Sequence, residues 1–275
     1  MKILNKEILA DSQGISIVKI TLLSPDIASK AKAGQFVVLM VTEEGERIPL
    51  TIVNADIKEG AIVLITQTAG FTTKQLANVK KGDTLYSLVG PLGHPTEIKK
   101  YGKVILVGGG VGIAEIYPVA KAMKAAGNFV TTIIGSRAKE LLILESELKQ
   151  VSDGLIVMTD DGSYGRKGFV TEALKELLEK ESYDQAYAVG PIPMMRAVSV
   201  VTKNFSVPTL VSLNALMVDG TGMCGCCRVT VAGKVKFSCV DGPEFEAGEV
   251  DWIELLKRNS IYSDKEKHIC RLNNL

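Results

Sequence analysis

Up to about Pro95 the apolar positions recur with period two, in short runs. Ile15–Leu23, Phe36–Val41 and Ala61–Thr66 read as strands, rich in β-branched and aliphatic residues and bounded by Gly, Pro, Asp or Asn. One short helical stretch, Thr73–Val79, interrupts them. Gly90-Pro-Leu-Gly93 reads as a turn that closes the set. Such a succession predicts an antiparallel β-barrel.

The texture changes at Tyr101. Lys103-Val-Ile-Leu-Val-Gly108 is a buried strand, followed by glycines and an amphipathic helix to about Ala126. Further strands are expected at Phe129–Gly135, Gly154–Thr159, Gln185–Gly190 and Pro208–Leu213. Helical patterns lie between them, near Lys139–Val151, Gly168–Ser182 and Pro191–Asn204. Alternating strands and helices with short links predict a doubly wound parallel sheet. Beyond Asn214 the periodicity lapses until Glu249–Arg258, a helix, and the remainder reads as a tail.

Composition narrows the function classes. A chain of 275 residues with 46% apolar content holds two domains with buried cores. Lys plus Arg (32) and Asp plus Glu (31) nearly cancel, at net charge +1, which gives no support to nucleic acid or anionic membrane as partner. Met1–Lys6 lacks the apolar core of a signal peptide, and the longest apolar run, Val104–Ala114, is too short to span a bilayer. A soluble cytoplasmic protein is expected. Five cysteines, four of them between Cys224 and Cys239, do not form a secreted disulfide framework, and two histidines exclude a His-rich metal site.

The cysteines carry the sharpest signal. Asp219, Cys224, Cys227 and Cys239 form Asp-x4-Cys-x2-Cys-x11-Cys, the spacing of plant-type [2Fe–2S] loops with a carboxylate in place of the first thiolate. Interspersed glycines let backbone N–H groups approach cluster sulfides. Structural zinc takes the same ligand types, but zinc ribbons present two close Cys pairs and Cys239 has no near partner. Cys226 has the wrong spacing and is expected to face away; Cys270 is expected to be a buried or free thiol.

Gly108-Gly109-Gly110-Val-Gly112 follows a strand and opens a helix, the place where a backbone free of side chains meets a pyrophosphate. The regular G-x-G-x-x-G pattern is absent, since Glu115 stands at its third position; tight helix–strand packing is the alternative reading. Arg137, Asp160, Asp161, Gly190 and Pro191 fall at the C-terminal ends of the following strands, the edge where open α/β sheets bind ligands. Asp160 and Asp161 suit ribose hydroxyls and oppose a 2′-phosphate, favouring NAD(H) over NADP(H), with Arg137, Arg166 and Lys167 weighing the other way. In the first half, Arg47 can pair with a diphosphate, and Pro49, Leu50 and Thr51 can lie against a flat ring. By spacing alone the simpler reading there is an edge strand with one solvated Arg. Gly70, Thr72 and Thr73 mark a helix start, with or without a phosphate.

Barrel, glycine-rich nucleotide domain and C-terminal cysteine loop, in that order, resemble the ferredoxin–NADP+ reductase superfamily. Within it the chain is similar to the branch of dihydroorotate dehydrogenase electron-transfer subunits and sulfide dehydrogenase small subunits. The likeness runs to about Asp251 and implies a division into 1–98 (FAD-binding barrel), 99–213 (nucleotide domain), 214–245 (cluster segment) and 246–275 (helix and tail). It implies FAD held by Arg47, Pro49, Leu50 and Thr51 together with Gly70, Thr72 and Thr73, NAD(H) at Gly109, Gly110 and Gly112, and a [2Fe–2S] cluster. Ala69 and Phe71 alter the second flavin segment, and Glu115 replaces a common Pro. Dihydroorotate-type subunits use four cysteines; Asp219 and the Asp-Gly-Thr-Gly-Met-Cys-Gly-x-Cys-Arg string look like the sulfide dehydrogenase and transhydrogenase side of the branch.

The resemblance implies an oxidoreductase subunit in which hydride exchanges between NAD(H) and FAD and single electrons pass to the cluster, with no side-chain acid or base required. It implies a larger partner subunit with flavin and [4Fe–4S] clusters, using ferredoxin and NADP(H) in electron bifurcation. Alternatives are the electron-transfer subunit of an NAD-dependent dihydroorotate dehydrogenase, a sulfide or polysulfide reductase small subunit, or a zinc-stabilised binding module.

Overall fold

The computed structural model describes residues 1–12 and 14–272. The chain forms two compact units: one from Met1–Pro95, Asn214–Pro243 and Asp251–Leu275, the other from Thr96–Leu213 and Glu244–Val250.

In the first unit, strands β1 (Ile3–Ser12), β2 (Ile15–Leu23), β3 (Phe36–Met40), β4 (Ile48–Asp56), β5 (Ala61–Gln67) and β6 (Ser87–Leu92) pair in the order β1-β2-β5-β4-β3-β6. Every pairing is antiparallel. The sheet closes on itself: Lys2 bridges Thr84, the Ile3 N–H donates to the Asp83 carbonyl at 2.8 Å, and the Leu85 N–H donates to that of Met1 at 2.8 Å. Period two puts Val18, Ile20 and Leu22 of β2, Val37 and Leu39 of β3, and Ile62 and Leu64 of β5 into one core. Helix α1 (Pro25–Ala28) adds Ile27 and Ala28, and α2 (Phe71–Asn78) adds Leu76.

The expected turn at Gly90–Gly93 is instead the end of β6. Gly90 lies so close to β3 that a Cβ on it would meet Val37 Cγ1 at 2.8 Å, and the strand continues through Leu92. The C-terminal segments of this unit are a hairpin, described below with the site, and helices α7 (Trp252–Asn259) and α8 (Ser263–Leu272). The stretch read as a tail is therefore helical as far as Leu272.

The second unit is a seven-stranded sheet made of β7 (Lys103–Gly109), β8 (Phe129–Ser136), β9 (Gly154–Thr159), β10 (Arg166–Lys167), β11 (Gln185–Val189), β12 (Thr209–Ser212) and β15 (Glu244–Glu246). Their order is β10-β9-β8-β7-β11-β12-β15, parallel except for β15. Helices α3 (Gly112–Ala125), α4 (Glu145–Val151), α5 (Val170–Lys180) and α6 (Ile192–Asn204) link the strands. Strand order reverses between β7 and β11, so the loops after these two strands flank the crevice where such sheets bind ligands. The helix expected over Lys139–Val151 breaks: a 3-10 turn (Lys139–Leu141) precedes α4, and Leu144 between them takes φ 55°. Leu141 and Ile143 are both buried, two residues apart, which one face of a helix does not allow. Among the described residues no helix is long and apolar enough to cross a membrane.

Candidate functional site

The cysteine loop runs from Val218 to the hairpin β13 (Arg228–Val231) and β14 (Lys234–Phe237), and the turn after β14 brings Cys239 back to it. Cys227 and Cys239 are each 2% exposed, and their Sγ atoms lie 3.1 Å apart without a bond. Burial, then the neighbouring Cys227, holds the Cys239 thiol well above its ordinary value, although a backbone hydrogen bond from Gly222 pulls the other way. Buried beside a second sulfur, the Cys239 thiol keeps its proton until a cation compensates the thiolate. Cys224 is exposed, and backbone groups of Cys226 and Asp219 lower its thiol.

Asp219 accepts at Oδ2 from the Thr221 N–H (3.0 Å), the Met223 N–H (3.3 Å) and the Thr221 hydroxyl, which closes the Asp219–Cys224 turn. These bonds, chiefly those of Thr221, and the Arg47 guanidinium lower its carboxyl. The four expected ligands thus fall into two pairs, Asp219 with Cys224 and Cys227 with Cys239. No three His, Cys, Asp or Glu side chains among the described residues converge as a single ion requires. A donor set in two pairs fits a two-iron cluster, which takes two protein ligands at each iron, better than one tetrahedral zinc.

Cys226 does not face away as expected. The Gly225 turn (φ 67°) brings its thiol into hydrogen-bond contact with Cys224. Its carbonyl accepts from Arg258 Nη2 at 3.0 Å, which ties the loop to α7. That helix is itself capped by Asp251, whose carboxylate accepts from the Ile253 and Glu254 N–H groups. Cys270, as expected, is a free thiol.

The loop sits on the barrel. A Cβ on Gly220 would meet Val38 Cγ2 at 2.8 Å and Leu92 Cδ1 at 3.0 Å, so β3 and β6 form the seat. Arg47 is exposed immediately before β4, while Pro49, Leu50 and Thr51 are half-buried within it, opposite Val38, Val37 and Phe36. The Thr72 hydroxyl donates to Glu46 at 2.8 Å, joining the start of β4 to the start of α2. Thr73 Oγ1 accepts from the Ala69 and Gly70 N–H groups at 2.9 and 3.0 Å, and open space lies where a Gly70 Cβ would stand. Arg47–Thr51 and Gly70–Thr73, distant in sequence, are thereby one surface. Glu46 is the residue that sequence reasoning missed there, and its only signal is adjacency to Arg47.

In the second unit the glycines divide by role. Gly108 packs on α3, where a Cβ would meet Ile116 Cδ1 at 2.7 Å. Gly109 presses against the first turn of α6, where its Cβ would collide with Met194 Sδ, and Gly112 against the end of β11, where its Cβ would lie 2.5 Å from the Val189 carbonyl oxygen. A Cβ on Gly190 would in turn come within 3.1 Å of the Gly109 backbone, with Pro191 beside it. Gly110 alone, at φ 57°, faces open space at the N-terminal end of α3. Arg137 and Asp160 are exposed after β8 and β9 and interact electrostatically; burial raises the Asp160 carboxyl more than Arg137 lowers it. Asp161 is committed to its own turn, accepting from the Ser163 N–H at 2.9 Å.

The sequence pattern of the iron–sulfur cluster binding domain of dihydroorotate dehydrogenase B matches residues 214–251, and that of the oxidoreductase NAD-binding domain matches 106–200. A Thermotoga maritima homologue of the electron transfer subunit of dihydroorotate dehydrogenase B (NAD+) is 53% identical over 244 residues, covering 89% of this chain and 86% of the relative. The chain belongs to that family. Another member of the dihydroorotate dehydrogenase B electron-transfer family, the Geobacillus thermodenitrificans subunit, is 34% identical across 84% of this chain and 91% of its own length. A solved chain of the NADH-dependent reduced ferredoxin–NADP oxidoreductase, described in connection with flavin-based electron bifurcation, superposes with TM-score 0.91. It is 49% identical and covers 97% of this chain and 95% of its own. The protein is thus an oxidoreductase subunit of ferredoxin-reductase-like fold, and FAD, a [2Fe–2S] cluster and NAD(H) are the cofactors of the family, as the sequence led us to expect.

Proposed function

We propose that the chain is the NAD(H)-side electron-transfer subunit of a ferredoxin:NADP+ oxidoreductase, a transhydrogenase complex that works by flavin-based electron bifurcation. Its partner is a larger subunit carrying flavin and [4Fe–4S] clusters, which deals with ferredoxin and NADP(H). The observation that carries this reading is a carboxylate at the first cluster-ligand position, on a loop seated against the barrel strand that pairs with the flavin segment. The 49% identity to the bifurcating oxidoreductase chain supports it.

When bound, FAD exchanges hydride with the nicotinamide and single electrons with the cluster. The chain supplies position and charge. Arg47 would pair with the flavin diphosphate, and Pro49, Leu50 and Thr51 would hold the ring; Gly70 leaves room at the start of α2, with Thr72 and Thr73 fixing that turn. Gly110 and the N-terminal end of α3 would receive the dinucleotide pyrophosphate, and Arg137, Asp160, Asp161, Gly190 and Pro191 would border it. Asp219, Cys224, Cys227 and Cys239 would hold the cluster. Asp219 lies in the field of Arg47, so the flavin segment and the first ligand share one electrostatic environment.

Anaerobic purification of the native complex tests the assignment. A partner containing [4Fe–4S] clusters, flavin and an NADP(H)-reducible centre is expected, together with the EPR signal of a reduced [2Fe–2S] cluster from this chain. The relatives described as dihydroorotate dehydrogenase subunits favour a second reading. Under it an FMN-containing, dihydroorotate-oxidising partner co-purifies instead, and that result replaces the proposal. A colourless chain with stoichiometric zinc would overturn both.

A further inference from the structure

Ser238 lies between two of the four expected ligands. It precedes Cys239 in the chain, and its N–H donates to the Cys227 carbonyl at 3.0 Å. The side chain is fully buried, and Oγ has no hydrogen-bond partner among the described residues. Folded proteins rarely leave a buried hydroxyl unpaired, so an orphaned one points to a group that occupies the site in the loaded protein.

Local geometry allows that hydroxyl to face the cluster. Ser238 and Cys239 are not on a strand, where neighbouring side chains point to opposite sides. They occupy a tight turn, closed by the Val240 N–H (3.0 Å) and the Asp241 N–H (2.7 Å), both donating to the Phe237 carbonyl. Side chains of consecutive turn residues diverge far less than on a strand, so Ser238 and Cys239 can border one hollow. Cys227 stands beside both, its carbonyl accepting from the Ser238 N–H and its Sγ 3.1 Å from that of Cys239.

We infer that the Ser238 hydroxyl donates a hydrogen bond to a sulfur of the [2Fe–2S] site, a cluster sulfide or a ligand thiolate, and sets its potential. The inference rests on the cluster reading above. A donor beside a sulfur withdraws negative charge, and the reduced cluster carries one more negative charge than the oxidised one. The bond therefore strengthens on reduction and raises the potential. Ser238 is a positioning residue in this sense: it ligates no iron and transfers no electron.

The experiment is a redox titration of the holo-protein followed by EPR, with wild type, Ser238→Ala and Ser238→Thr, alongside iron and sulfide content. Wild-type protein is also examined in H2O and D2O for an exchangeable deuteron coupled to the reduced cluster. For Ser238→Ala we expect unchanged iron, loss of one coupled deuteron, and a more negative potential. At fixed ambient potential the reduced-to-oxidised ratio falls about tenfold, equivalent to about 59 mV for one electron. Ser238→Thr, which keeps the hydroxyl, stays near wild type. Loss of iron in the alanine variant with retention in the threonine variant also supports the bond. An alanine variant with wild-type potential and deuteron couplings overturns it, as does equal loss of iron in both variants, which would mean that volume alone matters there. Wild-type protein with no reduced [2Fe–2S] signal would remove the cluster reading itself, an outcome distinct from these.

Discussion

Gly112→Ala separates a packing role for the glycine loop from a purely ligand-facing one. The new Cβ would stand 2.5 Å from the Val189 carbonyl oxygen, 2.7 Å from its carbon and 2.9 Å from Gly190 Cα. All three obstacles are backbone, so no rotamer change relieves them. The end of β11 at Val189 and Gly190 has to withdraw by at least 0.5 Å to reach 3.0 Å, and by 0.9 Å to reach ordinary contact at 3.4 Å. Overpacking of this kind costs about 1–3 kcal/mol. Alanine's better helix propensity returns less than about 1 kcal/mol at a first helical position. A net loss of about 1–2 kcal/mol follows, equivalent to a Tm lower by roughly 4–8 °C for a unit of this size.

Two neighbours serve as controls. Gly109→Ala meets Met194 Sδ, the flexible end of a side chain, and is expected to cost less than about 1 kcal/mol. Gly110→Ala meets nothing but takes φ 57°, a strain of about 1 kcal/mol. The order of destabilisation is therefore Gly112, then Gly110, then Gly109, read from urea melts followed by circular dichroism. NADH affinity, from stopped-flow reduction of the bound flavin, falls about tenfold in Gly112→Ala if the displaced loop costs about 1.4 kcal/mol of binding. A Gly112→Ala protein within 0.5 kcal/mol of wild type (about the scatter of a surface substitution) would refute the packing argument.

Other outcomes follow from single contacts. Thr72→Val keeps shape but leaves Glu46 without its donor; stability is expected to drop by about 1 kcal/mol, and less flavin to survive gel filtration, read as the ratio of visible to ultraviolet absorbance. Asp219→Cys replaces a hard ligand by a soft one and is expected to retain iron while changing the EPR spectrum of the reduced protein; an identical spectrum would show that Asp219 is not a ligand. Glu244 is raised by burial, with hydrogen bonds from Thr96 and Tyr187 opposing without cancelling. Its folded-state pKa exceeds the unfolded one, so its contribution is fully present below the unfolded value and is lost as pH rises through the folded value. Glu244→Gln is accordingly expected to flatten the decline in stability from acidic to neutral pH, and parallel profiles would count against it.

Legibility followed the kind of information each element needs. Strands such as Ile15–Leu23 and Lys103–Gly109 declare themselves because burial leaves a local mark, an alternation in the first and an unbroken apolar run in the second. The Asp219–Cys239 spacing is likewise local, since a loop wrapping a cluster constrains residues close in sequence. Contacts between distant segments leave no such trace: nothing in the string indicates that Thr72 bonds Glu46, or that Gly109 and Gly112 are small because Met194 and Val189 crowd them. The short β15 was hidden for the same reason, because three residues gain strand identity only by pairing with β12. Leu144 shows the converse, a good helix former forced out of a helix by the burial of Leu141 and Ile143.

The antiparallel pairing of β15 with β12 also governs the order in which a growing chain can complete itself. On the ribosome the final strand of the nucleotide sheet emerges only after the whole of Asn214–Pro243, cysteines included, has been made. Zipping Glu244–Glu246 onto Leu210–Ser212 then draws the two ends of the cysteine segment together, so that part of the entropy of gathering its ligands is already spent before iron arrives. Maturation of the iron site should therefore depend on the integrity of a sheet edge that contributes none of its ligands, and a lesion in β15 would surface first as a protein poor in iron.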